Sequence, residues 1–141
     1  MAVDISIFIK QVDMIDIDQL QSLLAKNSFE ISIDPGTELN SSWTQFNCSF
    51  RGKKISFEYF YEPIEDTMFA VEDHPEIKNF DTCIGFQTSA DENAIICAVV
   101  ISGLIANHCN GAYWLMDRFE KNTAPIDMAK HVYKHALDII H

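Results

Sequence analysis

The stretch Ala94–Ala106 contains no charged residue and is apolar on nearly every side when it is drawn as a helix. Ser89, or Thr88, can cap the start of this helix. Asp91 and Glu92 fall in its first turn, where carboxylates interact favourably with the helix dipole. A helix that is apolar all round has to be covered on several sides. The fold must therefore place this helix at its centre and pack other elements around it.

Two stretches that alternate between polar and apolar residues, Trp43–Phe50 and Ile55–Tyr61, flank residues 51–54, which include one glycine. Alternation indicates strands with one buried face, and the short interval with its glycine predicts a β-hairpin. The residues expected on the buried face are Phe46, Cys48, Phe50, Ile55, Phe57, Tyr59 and Tyr61.

Similar patterns predict the remaining elements. Further strands are expected at Asp4–Lys10, Phe29–Ile33, Thr82–Thr88 and Ala112–Phe119. Helices are expected at about Asp16–Lys26, where Asp16 and Gln19 have the spacing of a capping box, and from Thr123-Ala124-Pro125 to His141. We therefore expect residues 1–141 to form a single α+β domain, in which a mostly antiparallel sheet packs against two or three helices.

The charge of the chain narrows the classes of partner. It carries 21 Asp and Glu residues against 10 Lys and Arg residues, a formal net charge of -11. Such a protein repels nucleic acids and anionic membrane surfaces, so we expect neither as a partner. The charge favours a basic protein partner, through steered association and complementary potential. The alternative is that the charge only keeps a small protein in solution.

Acidic residues are densest between Glu58 and Asp81, where Lys78 is the only lysine or arginine. Within this stretch, Glu62–Phe80 has weak periodicity, which predicts a long connection with room for one helical turn. Aromatic side chains are enriched in interface hot spots, and acids add steering. The predicted partner-binding residues are Glu58, Glu62, Glu65, Asp66, Phe69, Glu72, Asp73 and Glu76. The alternative is that the aromatic residues face the core and the acids only face water.

No arrangement of residues predicts catalysis. There is no phosphate-binding glycine loop and no nucleophile elbow. Four cysteines, Cys48, Cys83, Cys97 and Cys109, lack paired spacing, which favours free, buried thiols in a reducing compartment. We predict no catalytic residue and no enzyme activity.

Two histidines, His131 and His135, lie four residues apart, on one face of the last predicted helix. A zinc site needs three or four ligands, and His141 could approach the pair only loosely. We therefore predict no metal and no cofactor. A small metal-dependent enzyme that uses this pair remains an alternative.

The chain shows no targeting pattern. Met1–Lys10 contains Asp4 and lacks the basic start of a signal peptide. The apolar run Ala94–Ala106 is too short to span a bilayer and contains Ser102 and Gly103. A cytoplasmic location is expected.

The last third of the chain has a recognisable order of elements. A small-residue apolar helix over Asn93–Asn107 leads through Asn110-Gly111 into the strand of residues 112–117, followed by residues 122–125 and a final helix. This order resembles the immunity proteins of bacterial polymorphic toxin systems, in contact-dependent inhibition or type VI secretion. The resemblance implies a protein that binds a cognate toxin domain, often a basic nuclease, and occludes its active site. It includes no invariant motif, so no site residue carries over.

Type III secretion chaperones are similar to this chain in size and acidity. They usually begin with a helix, whereas this chain is predicted to begin with the strand Asp4–Lys10. A secretion chaperone for an effector protein is therefore the second interpretation.

Overall fold

In the computed structural model, which describes residues 2–121 and 123–139, the chain forms seven strands and three α-helices. The strands are β1 (Asp4–Ile9), β2 (Ile31–Ile33), β3 (Thr44–Phe50), β4 (Lys53–Pro63), β5 (Thr82–Gln87), β6 (Ala112–Leu115) and β7 (Arg118–Phe119). The helices are α1 (Ile17–Lys26), α2 (Glu92–His108) and α3 (Pro125–Ile139). All strands pair antiparallel in one sheet, in the order β2-β3-β4-β5-β1-β6-β7. The predicted α+β class is confirmed.

Helix α2 is the buried centre of the fold, as its composition predicts. All its residues from Ala94 to Ala106 are buried except Ile95, which is half-buried. Its N-cap is Asp91, whose carboxylate accepts a hydrogen bond from the backbone N–H of Asn93 at 3.1 Å. The prediction of Ser89 or Thr88 at the cap is therefore wrong. A carboxylate at the cap adds charge complementarity with the helix dipole to the hydrogen bond.

The helices cover one face of the sheet and leave the other, here called the outer face, partly open. In β1, Ile5, Ile7 and Ile9 belong to the core that includes α2. Phe8 points the other way, into a second, smaller apolar cluster. This division follows from the two-residue period of a strand.

The hairpin of β3 and β4 is tighter than the sequence predicts. Phe50 pairs with Lys53, so the turn consists of Arg51 and Gly52 alone, with φ angles of 57° and 72°. Two consecutive left-handed residues form the turn type whose twist matches paired strands. The predicted buried face is correct for Phe46, Cys48, Phe50, Ile55, Phe57 and Tyr59, whereas Tyr61 is half-buried and packs against the edge of the core. Tyr59 is fully buried, and its hydroxyl donates a hydrogen bond to a loop carbonyl.

The predicted strand Ala112–Phe119 is two strands, β6 and β7, separated by a turn at Met116 and Asp117. Met116 has a φ of 65°, in the left-handed region, which ends the first strand. The indole N–H of Trp114 donates a hydrogen bond to the Met116 carbonyl at 3.1 Å, which links the side chain of β6 to the backbone of the turn.

Several local predictions are confirmed. Asp16 and Gln19 form the capping box of α1, Pro125 is the first residue of α3, and all four cysteines are free and buried. The predicted end of the last helix at His141 lies outside the described residues. No helix in the described parts of the chain has the length and apolar composition needed to cross a membrane.

The connection of residues 64–80, here called the cover segment, folds back over the outer face of the sheet. It contains two short 3-10 turns, Ile64–Asp66 and Pro75–Ile77. Its apolar side chains complete the second cluster, which consists of Phe8, Ile64, Ile77 and Cys83 with Phe69, Phe80, Ala112, Trp114 and Phe119 packed against them. The predicted long connection is thus a packed part of the fold.

Candidate functional site

A trough lies on the outer face of the sheet, and its cross-section follows from the strand register. Phe60 pairs with Gly85, Gly85 with Ser6, and Ser6 with Trp114. Two small residues therefore lie between two large aromatic ones. Three strand spacings separate Phe60 from Trp114, so their Cα atoms are roughly 14 Å apart. Ser6 and Gly85 form the floor of the trough, and Phe60 and Trp114 form its walls.

The cover segment closes one end of this trough. The Phe69 ring meets the rings of Phe8 and Trp114 edge to face, with centroids 4.8 and 5.2 Å apart. The opposite end is open, beside Asp4 and Gln87. The volume of the trough is about 590 Å³. This is the size of a site that takes a small molecule or the tip of a protein loop.

The trough is lined by acidic residues. Four carboxylates, those of Asp4, Glu62, Asp66 and Asp117, belong to its lining. None of the described residues that line it is a lysine or an arginine. Carboxylates around a concave site with apolar walls produce a stronger negative potential than the same charges on a convex surface. The trough therefore favours cationic groups.

The wall formed by Trp114 is held in place by its neighbours. Its ring meets His74 and Phe119 edge to face, at centroid distances of 5.4 and 5.1 Å. These contacts add to the one with Phe69 and to the hydrogen bond of the indole N–H. An aromatic side chain fixed in this way loses little conformational entropy when a partner binds.

Two methionines extend the apolar rim of the trough. The side chain of Met68 is 93% exposed and that of Met116 is 44% exposed. Exposed large apolar side chains beside a cleft are typical of interaction surfaces, and methionine adapts easily to the shape of a partner.

The floor also contains a thiol, which belongs to the buried residue Cys83. Burial raises the pKa of this thiol to about 12, and the charges of Glu62 and Asp4 act in the same direction. The thiol is therefore protonated at neutral pH and is a poor nucleophile. The chemistry that the trough favours is binding of a cation beside aromatic rings.

Of the eight predicted partner-binding residues, three line the trough, namely Glu62, Asp66 and Phe69. Glu65 and Glu72 line a second groove, between the cover segment and the end of β4. Phe69 is half-buried and separates the two grooves, since it contributes to the lining of both.

The other three predicted residues lie apart from the trough. Glu58 lies on β4 beyond its open end and accepts a hydrogen bond from the indole N–H of Trp43 at 3.3 Å. Glu76 is paired with Lys121 at 3.0 Å. A hydrogen bond from its own backbone N–H, followed by the one from Lys121, lowers the pKa of Glu76 from its ordinary 4.5. Asp73 is exposed in a turn of the cover segment.

Sequence reasoning missed most of the trough, because its members come from four strands and two loops. Asp4 and Asp117 are isolated acids in the sequence, far from the dense acidic stretch. The only local signal was the presence of Ser6 and Gly85 in the middle of predicted strands. A small residue in a strand is typical of a site where another group approaches closely.

The two histidines considered as metal ligands, His131 and His135, are exposed on α3 with parallel rings 6.4 Å apart. Within the described residues, no group of three or more potential ligands is close enough to hold a metal ion. His141 lies outside those residues.

Comparisons with known proteins return nothing similar to this chain. No protein-family model, no curated protein and no solved structure matches it. The immunity-protein resemblance therefore stays a prediction, and the geometry and charge of the trough are the basis for a functional proposal.

Proposed function

We propose that this protein binds a basic protein domain and neutralises it, as the cytoplasmic immunity protein of a bacterial polymorphic toxin. The observation that carries the proposal is the trough, a concave, aromatic-walled site whose described lining contains four carboxylates and neither lysine nor arginine. The outer face around the trough is the contact surface in this proposal, and the toxin domain is the partner.

The charge of the whole protein supports such a partner. A net charge of -11 accelerates the encounter with a basic domain and weakens binding to nucleic acids. If the toxin is a nuclease, the carboxylates of the trough bind the Lys and Arg side chains that otherwise bind the phosphates of its nucleic-acid substrate. Occlusion of that site blocks the toxin without any catalysis by this protein.

If a large secreted-toxin gene lies directly upstream of the gene for this protein, its toxin domain is the probe, first in a pull-down and then in growth of cells that express the toxin. The double variant Glu62→Lys, Asp66→Lys reverses two charges inside the trough. The matched control, Glu30→Lys with Glu38→Lys, makes the same change in net charge at exposed positions that line neither groove.

We expect the trough variant to weaken toxin binding by about tenfold or more and to lose protection, while the control retains most of both. Equal losses in the two variants would mean that only bulk charge matters. Absence of binding by the wild-type protein would overturn the proposed function. Capture of an extended effector segment instead of a folded toxin domain would favour a secretion chaperone.

A further inference from the structure

The trough has a shape that suits a projecting element of a partner. It has a floor of small residues, Ser6 and Gly85, two aromatic walls and one closed end. A flat partner surface would leave this volume of about 590 Å³ unfilled. Unfilled space in an interface loses dispersion contacts on both sides. A loop that enters the trough fills it.

The charges and rings of the trough indicate which side chain the loop carries. Glu62 pairs with Cys83 at the closed end, and Asp66 belongs to the cover segment that closes that end. Trp114 supplies the aromatic wall. A guanidinium group stacks on an indole and also binds a carboxylate through two parallel hydrogen bonds. An ammonium group lacks the planar shape for both contacts.

We propose that the trough receives a loop of the partner with an arginine at its tip, whose side chain lies against Trp114 and whose guanidinium binds the carboxylates of Glu62 and Asp66. This inference rests on the proposed function for the basic protein partner, and it specifies how that partner is recognised. Asp4 and Asp117, nearer the open end, attract the basic residues that flank the arginine.

The first test is a titration of the isotope-labelled protein, followed by nuclear magnetic resonance. The probes are three capped tripeptides, Gly-Arg-Gly, Gly-Lys-Gly and Gly-citrulline-Gly. Citrulline keeps the planar shape of arginine without its charge. We expect the arginine peptide to shift the indole N–H of Trp114 and the backbone amides of Ser6 and Gly85. We expect it to bind about threefold or more tighter than the lysine peptide, with no measurable binding of the citrulline peptide.

The second test fills the trough without changing its charge. In Gly85→Val, the new Cβ meets the Phe60 ring at 3.4 Å, an ordinary contact, and the added methyl groups occupy the floor. The matched control is Ser49→Val, on the outer face of β3 away from the trough. We expect Gly85→Val to weaken binding of the arginine peptide about tenfold, and Ser49→Val to leave it unchanged. If Gly85→Val does not fold, the double variant Glu62→Gln, Asp66→Asn is tested in its place. It removes two charges from the trough, and we expect it also to weaken binding of the arginine peptide about tenfold.

The outcomes separate this inference from the proposed function. If the arginine peptide changes the chemical shifts of residues outside the trough, or binds no more tightly than the lysine peptide, the proposed arginine loop is wrong, whether or not the protein binds the toxin. If Gly85→Val still binds toxin as the wild type does, while Glu62→Lys with Asp66→Lys does not, the proposed function stands and insertion of a loop is wrong. If the arginine peptide binds in the trough but the protein does not bind the toxin, the trough is confirmed as an arginine site and the proposed function as an immunity protein is wrong.

Discussion

The side chain of Gln21, on α1, pairs with the backbone of Ile33 on the edge strand β2. Its carbonyl accepts a hydrogen bond from the Ile33 N–H at 2.8 Å, and its amide donates to the Ile31 carbonyl at 3.0 Å. One side chain thus satisfies two backbone groups that a neighbouring strand would otherwise pair. An unpaired edge strand is a template for association with another chain, and this contact protects it.

Replacement of Gln21 by alanine should expose that edge. We expect Gln21→Ala to lower the free energy of unfolding by about 1 kcal/mol, since two backbone hydrogen bonds are transferred to water. We also expect more self-association at high concentration. Denaturant unfolding and light scattering measure the two effects. Gln45→Ala, at an exposed position of β3, is the control. If Gln21→Ala leaves both stability and self-association unchanged, hydrogen bonds from water to the backbone of β2 are as effective as those from Gln21, and the prediction is wrong.

A buried hydroxyl pair links α2 to the sheet, because the hydroxyl oxygens of Ser102 and Tyr113 are 2.8 Å apart. Ser102 also donates to the Val99 carbonyl at 3.2 Å. Tyr113→Phe leaves Ser102 with this partner and should cost about 1 kcal/mol of unfolding free energy. Ser102→Ala leaves the buried Tyr113 hydroxyl without a partner and should cost about 1–3 kcal/mol. The reverse order in denaturant unfolding would contradict this assignment of the hydrogen bonds.

Alkaline pH should destabilise the protein in part through the same tyrosine. Burial raises the pKa of Tyr113 to about 12, from its ordinary value of 10.0. Between these values the unfolded chain loses the phenolic proton and the folded chain keeps it, so stability falls as pH rises. The contribution of one group is at most about 1.4 kcal/mol per pH unit. The decline in unfolding free energy from pH 10 to 12 should be shallower in Tyr113→Phe, and identical slopes would contradict the prediction.

The ion pair of the cover segment should be measurable at acid pH. The carboxylate of Glu76 has a lowered pKa, so its contribution to stability is complete above 4.5 and is lost as pH falls through the lowered value. Lys121→Ala should raise this pKa part of the way to 4.5, since the hydrogen bond from the backbone of Glu76 remains. Side-chain nuclear magnetic resonance titration measures it. Lys78→Ala, at an exposed position of the same segment, is the control, and an unchanged Glu76 pKa in Lys121→Ala would exclude the ion pair in solution.

Close packing of α2 on α3 depends on one glycine. A Cβ on Gly103 would lie 2.7 Å from the Pro125 carbonyl oxygen and 3.2 Å from the Ala129 Cβ. Gly103→Ala should therefore separate the two helices and cost about 1–3 kcal/mol in denaturant unfolding. Gly36→Ala, where no atom lies within 4 Å of the new Cβ, should be neutral or slightly stabilising. Equal effects of the two substitutions would contradict the tight helix contact.

Local chemistry predicts most elements of this fold, because the signals that define them are short in sequence. Asp16 and Gln19 identify the start of α1, and the alternation of β3 and β4 identifies their buried faces. The turn at Met116 was missed because its left-handed backbone is adopted by a residue that rarely favours it.

The trough could not be predicted in the same way, because it depends on which strands become neighbours. Ser6 and Gly85 are 79 positions apart in numbering and pair only because β1 lies beside β5. Antiparallel pairing is compatible with many strand orders, and no local pattern selects among them. The acidic stretch was visible, but the side of the cover segment on which each acid lies was not.

The position of β1 between β5 and β6 also has a consequence for synthesis of the protein. The strand has no partner until β5, which ends at Gln87, has left the ribosome, and its second partner, β6, is complete only at residue 115, whereas Ile5, Ile7 and Ile9 emerge much earlier. At about 5–20 residues per second, the time before β5 is available is on the order of 4–16 s. A newly made chain therefore holds an unpaired, apolar strand for seconds, and the trough, whose floor includes Ser6, is completed only when β6 has joined the sheet.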